Sequence, residues 1–338
     1  MWQGSAGILC AVNMTNKKAL SELRLDLVSN DWVVVAAGRA HRPETFARYQ
    51  RIKEETSRKD CYFCREDILK KAILRRGNVI SIPNDFPAFS YSDNLHERMD
   101  GPNKIMDGIG FQEVIITLDH KKQLAQFSQE EMRNVINVYQ ARYLGLMKKN
   151  FIKYVSIFHN HGREAGATIV HPHSQIIAIP VIDPDLKGSI QGAAEFFKKN
   201  GKCVYCTMVE WDSKDGRRII YENEKFVALC PFAPQGNFEV RIYPKEHSPY
   251  FEKITEEEKD FFSDSLRMVL FKIYKGLDDP SYNFYIHTAP CDKGNYDHYH
   301  WHLVILPRIS VWAGFELGAG IEISTIEPEK AAEFLRKT

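Results

Sequence analysis

The 338-residue sequence predicts a mixed fold of strands and helices made from two copies of one unit, and three observations carry that prediction. An ordered set of features occurs twice: a Cys-x-x-Cys pair, a strand, an acidic residue followed by histidine, a capped helix, another strand and a His-x-His. Both helices open on the same reciprocal capping box, Ser128 with Glu131 and Thr255 with Glu258. The chain is also long enough for two domains of ordinary size, each with its own core.

Composition narrows the function classes. The formal net charge is +1, so no electrostatic footprint for nucleic acid or an anionic membrane is written into the average composition. No apolar run approaches the roughly 20 residues that a membrane-spanning helix needs. Residues 1–20 read as a flexible lead-in, because the apolar patch Ile8-Leu9-Cys10-Ala11-Val12 lacks the basic start and length of a signal peptide. Seven cysteines, four of them in Cys-x-x-Cys pairs, fit a cytoplasmic protein.

In chain order, Leu23-Arg24-Leu25-Asp26-Leu27 alternates and Trp32-Val33-Val34-Val35 is strand-like. The loop after them carries Arg39 and Arg42, whose guanidinium forks match phosphate oxygens; a solvated basic loop explains the same residues. Cys61-Tyr62-Phe63-Cys64 is a redox dithiol, half of a metal site or coincidence, and Cys203-Val204-Tyr205-Cys206 repeats its spacing. The strand of Phe111-Gln112-Glu113-Val114 runs into Asp119-His120, and that of Phe238-Glu239-Val240 into Glu246-His247. Helices follow over roughly 128–149 and 255–276, then strands at Tyr154–Phe158 and Tyr282–Ile286. The copies close on His171-Pro172-His173 and His300-Trp301-His302, giving an N-terminal domain over 21–195 and a C-terminal one over 196–338.

Two cysteines and two histidines per copy are the ligand set of a closed tetrahedral zinc site. The expected groups are Cys61, Cys64, His120 and His171, and Cys203, Cys206, His247 and His300, two structural Zn2+ ions per chain with no open position for substrate. His173 is then left free as a nucleophile toward phosphorus, since protonation makes imidazole a fair leaving group from a phosphoramidate. Gln175 lies two residues on, on the same side of an extended segment, where its amide can steady a phosphoryl oxygen. The glycine-punctuated run from Asn160 through Gly166, Ala167 and Thr168 offers backbone donors for a phosphate.

His171-Pro172-His173-Ser174-Gln175, together with Cys61-x-x-Cys64, Asp119-His120 and Pro83-Asn84-Asp85-Phe86, resembles the galactose-1-phosphate uridylyltransferase family of the histidine-triad superfamily. The resemblance runs from Arg39 to Glu316. It implies an α+β fold of two tandem histidine-triad-like domains, each an antiparallel sheet with packed helices, in a homodimer. It also implies a ping-pong reaction in which His173 takes the nucleotidyl group of a nucleotide sugar, releases hexose 1-phosphate and passes the group to a second acceptor. Carried over by position, Arg39 and Arg42 grip phosphate, and Asn84 and Asp85 hold ribose and base. Asn160, Gly166, Thr168 and Gln175 surround the transferred phosphate. Gly314, Phe315 and Glu316 reach the hexose from the partner subunit.

One departure bears on the substrate. The best-known bacterial members bind their second metal through a glutamate shortly after His-Pro-His and later histidines, whereas here Pro180–Ser189 has no glutamate and Cys203 and Cys206 stand in. That pattern resembles ADP-glucose phosphorylase, so ADP-glucose:phosphate adenylyl transfer stands beside UDP-glucose:hexose-1-phosphate uridylyl transfer. A histidine-triad hydrolase is a further reading, because His298, His300 and His302 alternate, and a zinc-stabilised binding module without turnover is another. In the second copy Trp301 and Leu303-Val304 replace the proline and the Ser-Gln pair, which makes that copy catalytically silent.

Overall fold

The computed structural model describes residues 20–39 and 55–338. The strands β1 (Glu22–Leu25) and β2 (Trp32–Val35) form an antiparallel hairpin. The short helix α1 (Glu66–Leu69) precedes β3 (Leu74–Arg76), β4 (Val79–Pro83), the exposed ribbon β5 (Glu97–Asp100) and β6 (Asn103–Met106), and β7 (Phe111–Thr117). Next come α2 (Gln129–Leu146), β8 (Tyr154–His161) and β9 (His173–Ile179). Helices α3 (Pro184–Asn200) and α4 (Val204–Asp215) lead to β10 (Ile219–Glu222), β11 (Phe226–Leu229) and β12 (Val240–Pro244). Then follow α5 (Glu256–Gly276), β13 (Tyr282–His287), β14 (His302–Pro307), α6 (Gly314–Ala319), β15 (Ile323–Ser324) and α7 (Pro328–Lys337). Both capping boxes form, at Ser128 with Glu131 and Thr255 with Glu258, and start α2 and α5 where the sequence predicts.

The two copies share one ten-stranded sheet in the order β10-β11-β12-β14-β13-β8-β9-β7-β4-β3. Each half contributes five strands in the same internal order, with antiparallel pairs throughout. The halves join where β8 pairs β13, with Asn160 opposite Asn283. The apolar stripes of α2 and α5 lie on one face, burying Val135, Ile136 and Tyr139 beside Phe262, Leu266 and Leu270 in the main core. Strand alternation sends Ile176 and Ala178 of β9 into that core and turns His173 and Gln175 to the other face.

That second face differs between the halves. In the first it carries a small cluster of Phe63, Ile80, Ile82, Val114 and Ile116. In the second it is covered by a larger cluster that draws Val28, Leu186, Ala193, Tyr205, Tyr243 and Tyr299 together. Gly192 of α3 is required there, since a Cβ would stand 1.7 Å from the Val28 carbonyl oxygen.

Two details bear on the expected domain limits. A boundary at 195/196 falls inside α3, whose N-cap is Asp183 and whose helix ends at Gly201 in the left-handed conformation. The β1–β2 hairpin, expected in the N-terminal domain, packs on the C-terminal half: β2 pairs parallel with β15, and Arg24 pairs with Glu329. A lone hairpin cannot bury its apolar side by itself, and Val28, Val33 and Val35 find their cover there.

Candidate functional site

The first Cys/His group is built from separate elements that the sheet brings together. Cys61 precedes and Cys64 closes a 3-10 turn, His120 follows β7, and His171 precedes β9. Cys64 Sγ lies 3.4 Å from His120 Nδ1 and 3.5 Å from His171 Nδ1, and Cys61 Sγ lies 3.5 Å from His171 Nδ1. A tetrahedron with arms of about 2.1 Å to nitrogen and 2.3 Å to sulfur has edges of about 3.4–3.8 Å, so these are the separations of ligands around a common centre. Both rings are locked in the orientation a metal needs. His120 Nε2–H donates to the Thr56 carbonyl at 2.6 Å and His171 Nε2–H to that of Thr117 at 2.7 Å, which turns each Nδ1 lone pair inward.

The second group repeats the design. Cys206 Sγ is 3.3 Å from His247 Nδ1 and 3.4 Å from His300 Nδ1, while the Nε2 edges are held by the carbonyls of Asp297 and Pro244. In both groups the four ligand atoms lie within 4.8 Å of one another, and each group could hold a metal ion. The first is mostly buried, whereas His247 of the second is exposed.

His173 stands beside the first group. Its Nδ1–H donates to the His171 carbonyl at 2.9 Å, so the lone pair sits on Nε2, and burial keeps its pKa below the ordinary imidazole value against that carbonyl's pull. The ring packs on Phe63 at 5.0 Å, and Ser174 beneath it accepts or donates to Tyr139 of α2 and to His159. A pinned, neutral imidazole with one open nitrogen is suited to nucleophilic attack.

Around it, Gln175 accepts a hydrogen bond from Gln112 Nε2 at 3.0 Å. Asn160 at the end of β8 accepts one from Asn283 Nδ2 at 2.8 Å. The loop after Asn160 turns on Gly162 and Gly166, at φ of 83° and 86°, where only glycine sits without strain. Some of its backbone donors are taken up within the turn: Gly166 N–H bonds to the Arg163 carbonyl and Ala167 N–H to that of Gly162.

On the other side of Phe63, Tyr62 lies 6.2 Å from the ring of Phe86 and its hydroxyl donates to Asp85. Lys71 Nζ binds both Asp85 oxygens at 2.7 Å. Lys71 and then Tyr62 hold the Asp85 carboxyl below its ordinary range, while Asp85 pushes the Tyr62 phenol up to about 12. Asn84 caps its own turn by accepting from Phe86 N–H at 2.9 Å. Phe63 could be found from the shared aromatic inside the two Cys-x-x-Cys pairs; Lys71, Gln112 and Asn283 carry no local signal.

Arg42 lies outside the described residues, and of Arg39 only the backbone is described, in the turn after β2. Gly314, Phe315 and Glu316 begin the exposed helix α6, with Glu316 capping Ala313 N–H. Of the alternating histidines of the second copy, His300 joins the metal group, whereas His302 is walled in by Tyr205, Tyr243 and His287.

A family model described as galactose-1-phosphate uridyl transferase, N-terminal domain, matches residues 11–182, and a second, a domain of unknown function (DUF4921), matches residues 112–337. ADP-glucose phosphorylase from Arabidopsis thaliana is 31% identical over 329 residues, covering 94% of this chain and 92% of that protein. Galactose-1-phosphate uridylyltransferase from Thermotoga maritima is 28% identical over 331 residues, covering 94% and 99%. The crystal structure of the Arabidopsis thaliana ADP-glucose phosphorylase with bound ADP-glucose is similar at a TM-score of 0.80 and 29% identity, over 94% of this chain and 99% of that one.

Proposed function

The chain belongs to the galactose-1-phosphate uridylyltransferase family and is a nucleotidyltransferase, and we propose that it works by a ping-pong reaction through His173. The carrying observation is the His173 ring, held by Nδ1 on the His171 carbonyl with its Nε2 lone pair left for chemistry. In the first half-reaction Nε2 attacks the α-phosphorus of a nucleotide sugar. The N–P bond forms as the bridging P–O bond breaks, and its electron pair leaves on hexose 1-phosphate. In the second, a phosphate oxygen of the acceptor attacks the same phosphorus and the N–P bond breaks, returning neutral His173.

Gln175 and Asn160 serve as amide donors to the transferred phosphoryl oxygens, and Asn84 and Asp85, beside Tyr62 and Phe86, bind ribose and base. Thr168 and the turn at Gly166 and Ala167 border the same phosphate, and Arg39 and Arg42 grip it from the N-terminal loop. Zinc fills both Cys/His groups as a structural ion, and the first fixes the segment that carries His173. In a homodimer, Gly314, Phe315 and Glu316 of one copy reach the hexose of the other; the exposed Val311, Phe315 and Leu317 support such a face.

We read the reaction as UDP-glucose:hexose-1-phosphate uridylyl transfer. A second reading, ADP-glucose with inorganic phosphate as acceptor, is favoured by the cysteines in the second group and by the likeness to ADP-glucose phosphorylase. Intact mass after brief incubation with UDP-glucose or ADP-glucose, without acceptor, separates the two. A uridylyl gain on the His173 peptide supports the first, an adenylyl gain alone the second, and no gain with either overturns both.

A further inference from the structure

We infer that Gln112 and Asn283 are positioning residues, each turning a neighbouring amide so that its NH2 group, rather than its oxygen, faces the transferred phosphoryl group. The inference rests on the proposed reading of the site and adds two residues to it. An amide's oxygen and nitrogen ends look alike in shape, so which end faces a ligand must be settled by what each end bonds to. Both amides here are settled by chains of hydrogen bonds that start at a group able only to donate.

The first chain starts at the Ala88 backbone N–H, which meets Gln112 Oε1 at 3.0 Å. Gln112 must therefore present Nε2 at its other corner, where it donates to Gln175 Oε1 at 3.0 Å. With its oxygen engaged, Gln175 has its NH2 left for the site. Gln112 is held firmly enough to enforce this: it is buried, and its carbonyl accepts from Asn84 N–H at 2.9 Å and from the Tyr91 hydroxyl at 3.1 Å.

The second chain starts at Arg308, whose guanidinium Nε donates to Asn283 Oδ1 at 2.6 Å. Asn283 Nδ2 then donates to Asn160 Oδ1 and to the Ala165 carbonyl, both at 2.8 Å. The Ala165 carbonyl can only accept, so it fixes the same orientation a second time. The Asn160 NH2 is left toward Gly166, where a Cβ built on that glycine would lie 3.9 Å from Nδ2. Asn283 belongs to β13 and Arg308 directly follows β14, so the half without a working nucleophile supplies the orientation of a donor in the half that has one.

A phosphoryl oxygen that gains charge during transfer is stabilised by N–H donors already aimed at it; an amide turned end for end sets lone pair against lone pair. The test is Gln112→Glu and Asn283→Asp. Either carboxylate still accepts from Ala88 N–H or Arg308, yet it presents an acceptor where the relay needs a donor, so Gln175 or Asn160 must turn round. With whichever of UDP-glucose or ADP-glucose labels the wild-type protein, single-turnover labelling of His173 is expected to slow about 10- to 100-fold, with zinc content and melting temperature near wild type. In a Gln175→Ala background, Gln112→Glu is expected to add little, because the group it turns is gone. Wild-type labelling rates in both single variants, or an equal slowing by Gln112→Glu with and without Gln175, would overturn the inference. Should a carboxylate variant fail to fold, Gln112→Met and Asn283→Leu carry the test, losing the relay without a new charge; wild-type rates there also overturn it. Absence of labelling in the wild-type protein itself would instead be the failure of the proposed reaction.

Discussion

Lys71 grips Asp85 from fourteen residues away, its Nζ 2.7 Å from both carboxylate oxygens, while Tyr62 donates to the same group from the Cys-x-x-Cys turn. Asp85 is thereby ionised and fixed before any ligand arrives. Lys71→Met is expected to raise KM for the nucleotide sugar several-fold and to change kcat little, because binding rather than bond breaking is disturbed. Steady-state kinetics decide it, and an unchanged KM would remove Asp85 from the binding site.

His173→Ala and Cys61→Ala separate chemistry from architecture. The first is expected to abolish nucleotidyl transfer while keeping both metal ions and the melting temperature. The second is expected to lose the first metal and stability together, since metal affinity at such a site is folding free energy. Metal analysis, thermal melting and intact mass on the same samples read all three quantities.

Glu113 lies on the helix side of β7, where Arg142 of α2 grips it at 2.6 and 2.7 Å and the Ser81 hydroxyl donates at 2.7 Å. Glu113→Ala leaves the arginine charge without its partner and is expected to cost about 3–5 kcal/mol, seen as a large fall in melting temperature. Replacing Glu113 and Arg142 together by apolar residues is expected to cost much less.

Glu252 has its carboxyl buried, with Oε2 lacking any hydrogen-bond partner among the described residues, and burial raises its pKa from 4.5 to about 7. The folded state therefore holds this proton more tightly than the unfolded one. The contribution is fully present below about pH 4.5 and lost as pH rises through about 7. Glu252→Gln is expected to leave stability at pH 4.5 nearly unchanged and to raise it at pH 8 by on the order of 2 kcal/mol, checked by chemical unfolding at both values.

Features that repeat or act locally were legible in the sequence. The capping boxes, the paired Cys/His groups and the His173–Gln175 spacing each rest on residues whose type and offset carry the chemistry. What depends on pairing across the fold was not. Alternating apolar residues in Tyr154–Phe158 and Tyr282–Ile286 announce strands but cannot say that these two meet edge to edge, and so Asn283 gave no sign of reaching Asn160. Gln112 reads as a polar residue in a strand until β9 is laid beside it. The β1–β2 hairpin was recognisable as strands, yet its place against β15 is set by where a small apolar surface finds cover.

The seam between β8 and β13 also sets what each half is free to become. Two identical subunits meeting across a two-fold axis are bound to share every substitution, so a symmetric pair cannot give up one active site and keep the other. Fusing the pair into one chain lifts that bond. His302 can be enclosed by tyrosines and its face filled with apolar side chains, while Asn283 and Arg308 on the same half stay committed to Asn160 of the neighbouring half. Each half can then answer to a different requirement.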